Sequence, residues 1–447
     1  MPELLALAQR IAAQARSDEQ VEAYVAWSRE TDVRIYEGDV ESLSSAETAG
    51  IGIRVVKDSR QGFSYVGDLD EGRAREALEE ARDNASFATP DEHVGLAEPD
   101  GVLPAVLELW HGALADYPTA DKIARASELE RLVLSADSRI RKVISTDWGD
   151  GLSETAIASS TGIAAESRDT GCYLSVEAVA GEGDETQTGS SYTVGRDQLE
   201  LDPELAARDA VLRATRLLGA RKPRSSRLTV VLDRRVTATL LSVLAHTLSG
   251  EEVAKGRSLF ADRLGEEVAI GEITLVDDPT DPAAYGASMV DAEGLACRRN
   301  SLIEGGRLVG FLYDTYSGRL AGRSSTASAV RGGFKSTPGV GARALSLVPG
   351  ELDLDQILGR VANGLFVQSI SGVHSGVNRV SGDFSVGAEG LLIRDGVLAE
   401  PVREITIAST IQRMLQHVLH IGSDVERLPS SAMGMTLAIE DLAMSGE

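Results

Sequence analysis

Apolar positions along the chain fall into stretches of helical and of alternating periodicity. Leu4, Leu5, Leu7, Ala8, Ile11 and Ala12 share one helical stripe, which predicts an opening amphipathic helix. Residues 21–28, 33–36 and 51–56 are rich in β-branched and alternating apolar residues and are predicted as three strands. Asp70 stands at an N-cap position ahead of a Glu- and Arg-rich helix to Ala85, and a further helix is expected over residues 121–136. From Val143 to Val194, β-rich runs alternate with Gly, Asp and Ser turns and carry no helical stripe, the pattern of adjacent antiparallel strands.

Asp202-Pro203 combines an N-cap with a proline in the first helical turn, and Gly219 suits a helix C-terminus, so residues 203–218 are predicted helical. The next segment, residues 221–226, is short, polar, proline-containing and without apolar periodicity, as domain junctions are. The chain is therefore expected to divide into residues 1–221 and 222–447, and its length of 447 residues suits two cores better than one. The second half opens with a predicted strand over 228–232 and continues mainly as turn-linked β segments, with hairpin turns at Glu304-Gly305-Gly306-Arg307 and Asp395-Gly396. Helices are expected over 235–246, 352–364 and 409–420. The fold class is α+β: an N-terminal sheet-and-helix unit followed by a mainly antiparallel β unit.

Charge narrows the function. Asp and Glu number 69 against 44 Lys and Arg, a formal net charge of -25 that repels nucleic acid and anionic membranes. The first residues carry no basic leader, and the densest apolar stretch, residues 239–248, is about half what a bilayer crossing needs, so a cytoplasmic location is expected. Cys172 and Cys297 lie far apart without CxxC spacing, which points to two buried free thiols rather than a disulfide or a thiolate zinc site.

Candidate chemistry is sparse. Six histidines are few for a hydrolytic zinc site, and no HExxH or HExxxH occurs. The nearest approach runs from His246 to Glu251, where Thr247 occupies the place of a general-base Glu; a hydroxyl does not accept a proton from metal-bound water at neutral pH. His417 and His420 are expected at i, i+3 on one helix, among apolar neighbours that favour a packing role. His374 lies in Gly372-Val373-His374-Ser375-Gly376, one position out of register for a nucleophile elbow. Gly332 to Thr337 superficially resembles a phosphate loop but lacks its strand and helix, and is expected as an exposed loop; Gly50-Ile51-Gly52 precedes a strand rather than a helix.

Several stretches together resemble the TldD/PmbA family. Near the N-terminus these are residues 33–41 and Gly50-Ile51-Gly52-Ile53-Arg54-Val55. The second half adds Val276-Asp277-Asp278-Pro279, Asp291-Ala292-Glu293-Gly294 and residues 302–317. Residues 376–388 and 401–408 resemble the TldE/PmbA branch of that family.

The resemblance implies a heterodimer in which a TldD-like subunit carries zinc on an HExxxH helix, while the TldE-like chain lacks the ligands and helps enclose a peptide chamber. Against that pattern His246 matches the first histidine, Thr247 replaces the glutamate, Glu251 replaces the second histidine, and Ile421 stands where the active branch has a cysteine. No catalytic or metal-ligating residue is therefore expected on this chain, and zinc is expected on the partner. His246, Glu251, His374, Asn378, Arg379 and Asp383 are the candidates for lining the cavity or touching the partner. Modified or unfolded peptides are the implied substrates, with a homodimer possible in isolation. Two other readings stay open: a self-sufficient metallohydrolase using His246, Glu251 and a third ligand, and an amide hydrolase recruited to antibiotic biosynthesis.

Overall fold

In the computed structural model, which describes residues 2–447, the N-terminal half is one antiparallel sheet with helices on a single face. Its elements are α1 (Pro2–Ala12), β1 (Gln20–Tyr36), β2 (Asp39–Lys57), β3 (Arg60–Val66), α2 (Glu71–Phe87), α3 (Gly112–Ala115), α4 (Thr119–Ala136), β4 (Ile140–Ser159), β5 (Ala164–Glu182), β6 (Glu185–Gly195) and α5 (Pro203–Thr215). The six strands lie in the order β3-β2-β1-β4-β5-β6.

The two strands expected at 21–28 and 33–36 are one. Arg29 to Asp32 break the apolar alternation, yet each pairs on both sides, Arg29 with Glu47 and Leu152 and Asp32 with Ser44 and Gly149. Ladder bonds on two edges hold a polar segment extended whatever its side chains prefer. The strand expected at 51–56 likewise extends back to Asp39 along this ladder.

Successive β1 side chains alternate between two environments. Val21, Ala23 and Val25 pack under α1 and α2 with Leu4, Ile11 and Leu78, and Val33 and Ile35 pack under α4 with Leu129 and Val133. Full burial of each of these Val, Ile and Leu side chains contributes about 1.5–3 kcal/mol. Glu22 and Tyr24 point the other way, toward the C-terminal half. Asp70 and Asp202 cap α2 and α5 as expected, accepting from Arg73 N and Leu205 N at 2.9 Å. Regular helix in α5 ends at Thr215 rather than 218, and the chain turns on to Gly219 at φ +80°.

The C-terminal half comprises β7 (Ser226–Leu232), α6 (Arg234–Thr247), α7 (Gly250–Ala254), β8 (Leu275–Asp277), β9 (Asn300–Glu304), β10 (Arg307–Leu308), α8 (Thr315–Leu320), β11 (Ala329–Val330), β12 (Gly339–Val340), β13 (Leu345–Leu347), α9 (Leu354–Val361), β14 (Gly364–Ser371), α10 (Val373–Gly376), β15 (Asp383–Arg394), β16 (Val397–Thr410), α11 (Ile411–Gln416), β17 (Val418–Ile421) and β18 (Leu437–Ser445). Its main sheet runs β16-β15-β14-β7-β18-β17, antiparallel except between β7 and β14. Val230 and Leu232 face α6, whereas Val231 faces α9 with Phe366 and Ile393. The chain is thus an α+β protein with antiparallel sheets.

Two helices are shorter than periodicity suggested. The one expected over 352–364 is α9, capped reciprocally by Asp353 and Gln356, and Ala362 at φ +57° stops it before Gly364 enters β14. The one expected over 409–420 is α11, only six residues long and capped by Thr410. His417 ends it, and His420 lies in β17, paired with Ala438. The two histidines therefore share no helical face, because β18 recruits the apolar run after residue 417 into the sheet.

Candidate functional site

The C-terminal end of α6 and the turn before β15 build the candidate surface. Asp233 caps α6 through Arg235 N at 3.0 Å, and Val236, Leu240, Leu241 and Leu244 bury one helical face. Ser242 and His246 occupy the opposite, exposed stripe. The helix then breaks: Leu248 caps it, and Gly250 N donates to Leu312 O at 2.7 Å. Only glycine fits there, since a Cβ at 250 would lie 2.1 Å from the Tyr313 ring. Glu251 therefore sits on α7, beyond the break, and not one turn along the helix that carries His246.

Each residue around His246 is otherwise engaged. Thr247 is fully buried and its hydroxyl donates to Leu244 O at 2.8 Å, so it faces the core rather than the surface. Glu251 is paired with Lys255, and Glu252 with Arg257 at 2.8 Å. The Asn378 side chain accepts from Val380 N at 2.9 Å and Ser381 N at 3.1 Å, and Asp383 accepts from Ser381 Oγ at 2.6 Å. Asn378 and Asp383 thus fold a tight turn whose backbone closes from Asn378 N to Asp383 O at 2.9 Å. Arg379 O accepts from Leu259 N at 3.2 Å, which fastens that turn beside α7. Partial burial, and then the Arg379 charge, hold the His246 imidazole below its ordinary pKa. The structure therefore brings His246, Glu251 and Arg379 into one electrostatic neighbourhood. His374 is exposed on α10, and among the described residues no hydrogen bond or ion pair joins it to this group; the Ser375 hydroxyl donates to Gly372 O at 3.2 Å rather than to a base.

These residues do not fit a zinc site. Arg379 and Arg257 raise the positive potential around His246, Glu251 is neutralised by Lys255, and Ile421 contributes only an apolar side chain. Among the described residues no group of three or more His, Cys, Asp or Glu is placed to hold a metal. Burial pushes the thiols of Cys172 and Cys297 up to about 12, far from a thiolate ligand at neutral pH.

A second constellation, unforeseen from spacing, joins the two halves. Arg54 donates to Glu22 at 2.6 Å and lies 3.5 Å from Glu293, while Arg331 donates to the other Glu22 oxygen at 2.6 Å and to Ala292 O at 3.1 Å. The Arg331 guanidinium also stacks 4.5 Å from the Tyr24 ring centroid. Glu293 accepts from Thr315 N at 2.8 Å and Thr315 Oγ1 at 2.6 Å, and Asp291 accepts from Glu293 N, Leu295 N and Ala329 N. Burial works to raise the Glu22 pKa, but Arg54 and Arg331 outweigh it and leave that carboxyl below its ordinary value. For Glu293, burial and the acidic neighbours Asp291 and Asp314 outweigh Arg54 and the Thr315 hydrogen bond, and its pKa rises to about 7. The clue was present in Arg54 and Glu293, both inside the quoted family stretches.

The glycine-bearing motifs meet at the same seam. A Cβ on Gly50 would lie 2.3 Å from Phe334 Cε2, and one on Gly52 would lie 2.4 Å from Phe334 O. The loop expected to be exposed therefore buries Phe334, at 6% exposure, against β2. The glycines serve close packing, not phosphate binding.

Two six-stranded sheets, joined through the buried cluster of Glu22, Arg54, Glu293 and Arg331, define the α+β architecture of this chain. The chain matches the PmbA/TldA metallopeptidase domain 1 over residues 21–85, the central domain over 112–218 and the C-terminal domain over 225–446, and it belongs to the PmbA/TldD family. It is 26% identical over 430 residues to the metalloprotease PmbA of Escherichia coli O157:H7, covering 95% of this chain and 92% of that one. It is 24% identical to the metalloprotease TldD homolog of Haemophilus influenzae, covering 92% and 87%. Its fold superposes on TldE of Thermococcus kodakarensis with TM-score 0.89, 23% identity and full coverage of both chains. A Bacteroides thetaiotaomicron protein described as a modulator of DNA gyrase superposes with TM-score 0.87 and 26% identity, over 100% of this chain and 99% of that one.

Proposed function

We propose that this chain is the non-catalytic, TldE/PmbA-like subunit of a two-subunit zinc metallopeptidase that acts on modified or unfolded peptides in the cytosol. The observation that carries the reading is Thr247: it takes the place of the general base, it is buried, and its hydroxyl is spent on Leu244 O. A TldD-like partner supplies the zinc and the base. This chain contributes a wall that excludes water and confines an extended peptide, with His246, Glu251 and Arg379 facing the shared space. Relatives carrying both the PmbA and TldD names support a paired assembly.

The test is co-expression with an HExxxH-bearing homologue, followed by size-exclusion chromatography, metal analysis and a peptide-cleavage assay on the pair and on each chain. A stable pair that holds zinc and cleaves peptides, beside an isolated chain that does neither, is the expected result. Stoichiometric zinc and chelator-sensitive cleavage by the isolated chain, both lost in His246→Ala, would overturn it in favour of a self-sufficient hydrolase.

A further inference from the structure

On a chain of net charge -25, one groove of about 1090 Å³ runs against the overall field. Arg221, Arg224, Arg227 and Arg394 line it, and Glu400 is the one acidic residue among its walls. Arg227 is paired with Asp441 and Arg394 with Glu400, in exposed pairs of the kind that yield readily to a competing carboxylate. Arg221 and Arg224 are exposed and have no ion pair or side-chain hydrogen bond among the described residues. Glu447 lies along the rim, bonded through its backbone to Pro223 and Ser225, and pairs with none of these arginines.

Backbone geometry says what shape would fit. On one edge β7 is paired with β18 along residues 226–232, but its ladder with β14 covers only Val230 to Leu232. The Thr229 carbonyl packs against Gly364 at the start of β14, but among the described residues no strand pairs with 226–228 on that side, and this edge opens into the groove. The opposite wall is the β15–β16 hairpin, and the Arg221–Val402 bridge closes the groove at residue 221. Leu228, Leu392 and Met444 give it an apolar floor. A free strand edge accepts an extended backbone, alternate side chains of which enter the floor while the others meet the rim.

We propose that this groove binds an extended acidic peptide segment, added along β7 at 226–228, with its carboxylates held by Arg221 and Arg224. The guanidinium fork pairs bidentately with carboxylates, and an unpaired arginine gives up no native ion pair when it does so. A small anion would leave the strand edge and the apolar floor unused. The site is separate from the His246 surface and does not depend on the catalytic reading.

A peptide of alternating Glu and Leu, carrying a neutral fluorophore, is titrated into the full chain by fluorescence anisotropy. Saturable 1:1 binding is expected, weakened about tenfold or more in R221A/R224A, only partly restored in R221K/R224K, reduced by salt, and absent for the Lys-Leu counterpart. Because both side chains are exposed and make no ion pair or hydrogen bond among the described residues, the melting temperature of each variant should match that of the parent. Unchanged affinity in R221A/R224A overturns the proposal, as does equal binding of the Lys-Leu peptide. Tighter binding of a single-stranded oligonucleotide through the same arginines overturns the choice of peptide, and full competition by millimolar inorganic phosphate overturns the strand-addition mode.

Discussion

Arg331, from the C-terminal half, donates to Glu22 on β1 at 2.6 Å, and both side chains are essentially excluded from solvent. Charges taken out of water hold together only while both are present, because each alone would be buried without compensation. Arg54 bonds to the same carboxylate from the adjacent strand, so Glu22 is the anion on which the two guanidinium groups converge.

Removing either end of that bond should therefore be costly. Glu22→Gln and Arg331→Met are each expected to lower stability by about 3–5 kcal/mol. Denaturant unfolding of the two single variants and the double variant gives the check: the double variant should be less destabilised than the sum of the singles, because it removes both charges together.

The pH response is set by Glu293. Its folded pKa is raised from 4.5 to about 7, so between those values the folded state holds the proton more tightly than the unfolded chain. Stability attributable to this group therefore falls as pH rises from 4.5 to 7. Asp291 and Asp277, raised from 3.8 to about 6, act in the same direction over pH 3.8 to 6. Melting temperatures of Glu293→Gln and the parent, measured from pH 5 to 8, should shift in favour of the variant up to about pH 7 and level off above it; parallel curves from pH 5 to 7 would refute the assignment.

Phe334 and the two β2 glycines permit a sharper test of the seam. Gly50→Ala meets the Phe334 ring and Gly52→Ala meets the Phe334 carbonyl, and each is expected to cost about 1–3 kcal/mol as overpacking. Phe334→Ala, which opens a cavity, should cost about 3–5 kcal/mol. In its background the Gly50→Ala penalty should largely vanish while that of Gly52→Ala persists, since the carbonyl remains. Calorimetry on the six proteins of the two cycles separates these outcomes.

Placing a glutamate beside His246 should not create a base. Thr247→Glu would place a carboxylate in the core under α6, where burial without a partner costs several kcal/mol or forces protonation. The expected observation is a lower melting temperature with no gain of zinc affinity by titration calorimetry. Thr247→Val, which loses one internal hydrogen bond, should cost only about 1 kcal/mol.

Local chemistry made much of this fold legible. Asp70, Asp202 and the Asp395-Gly396 turn sit where capping and positive φ require them, because these are interactions over three or four residues that the sequence writes directly. What failed were elements whose state is decided by a neighbour. Arg29 to Asp32 join β1 because two flanking strands bond them, and His420 is in a strand because β18 lies alongside. The site divides in the same way.

Taken alone, the sequence determined the α+β class, the family, and that a threonine rather than a glutamate follows His246, since each follows from which residues are present and in what order. The tertiary structure decided that Thr247 faces the core, that Glu251 lies beyond a helix break, that Arg54 and Glu293 meet across the seam, and that Gly50 and Gly52 receive Phe334. Those contacts join residues up to several hundred positions apart, and no periodicity or spacing encodes which distant side chain will fill a given gap; packing alone selects it.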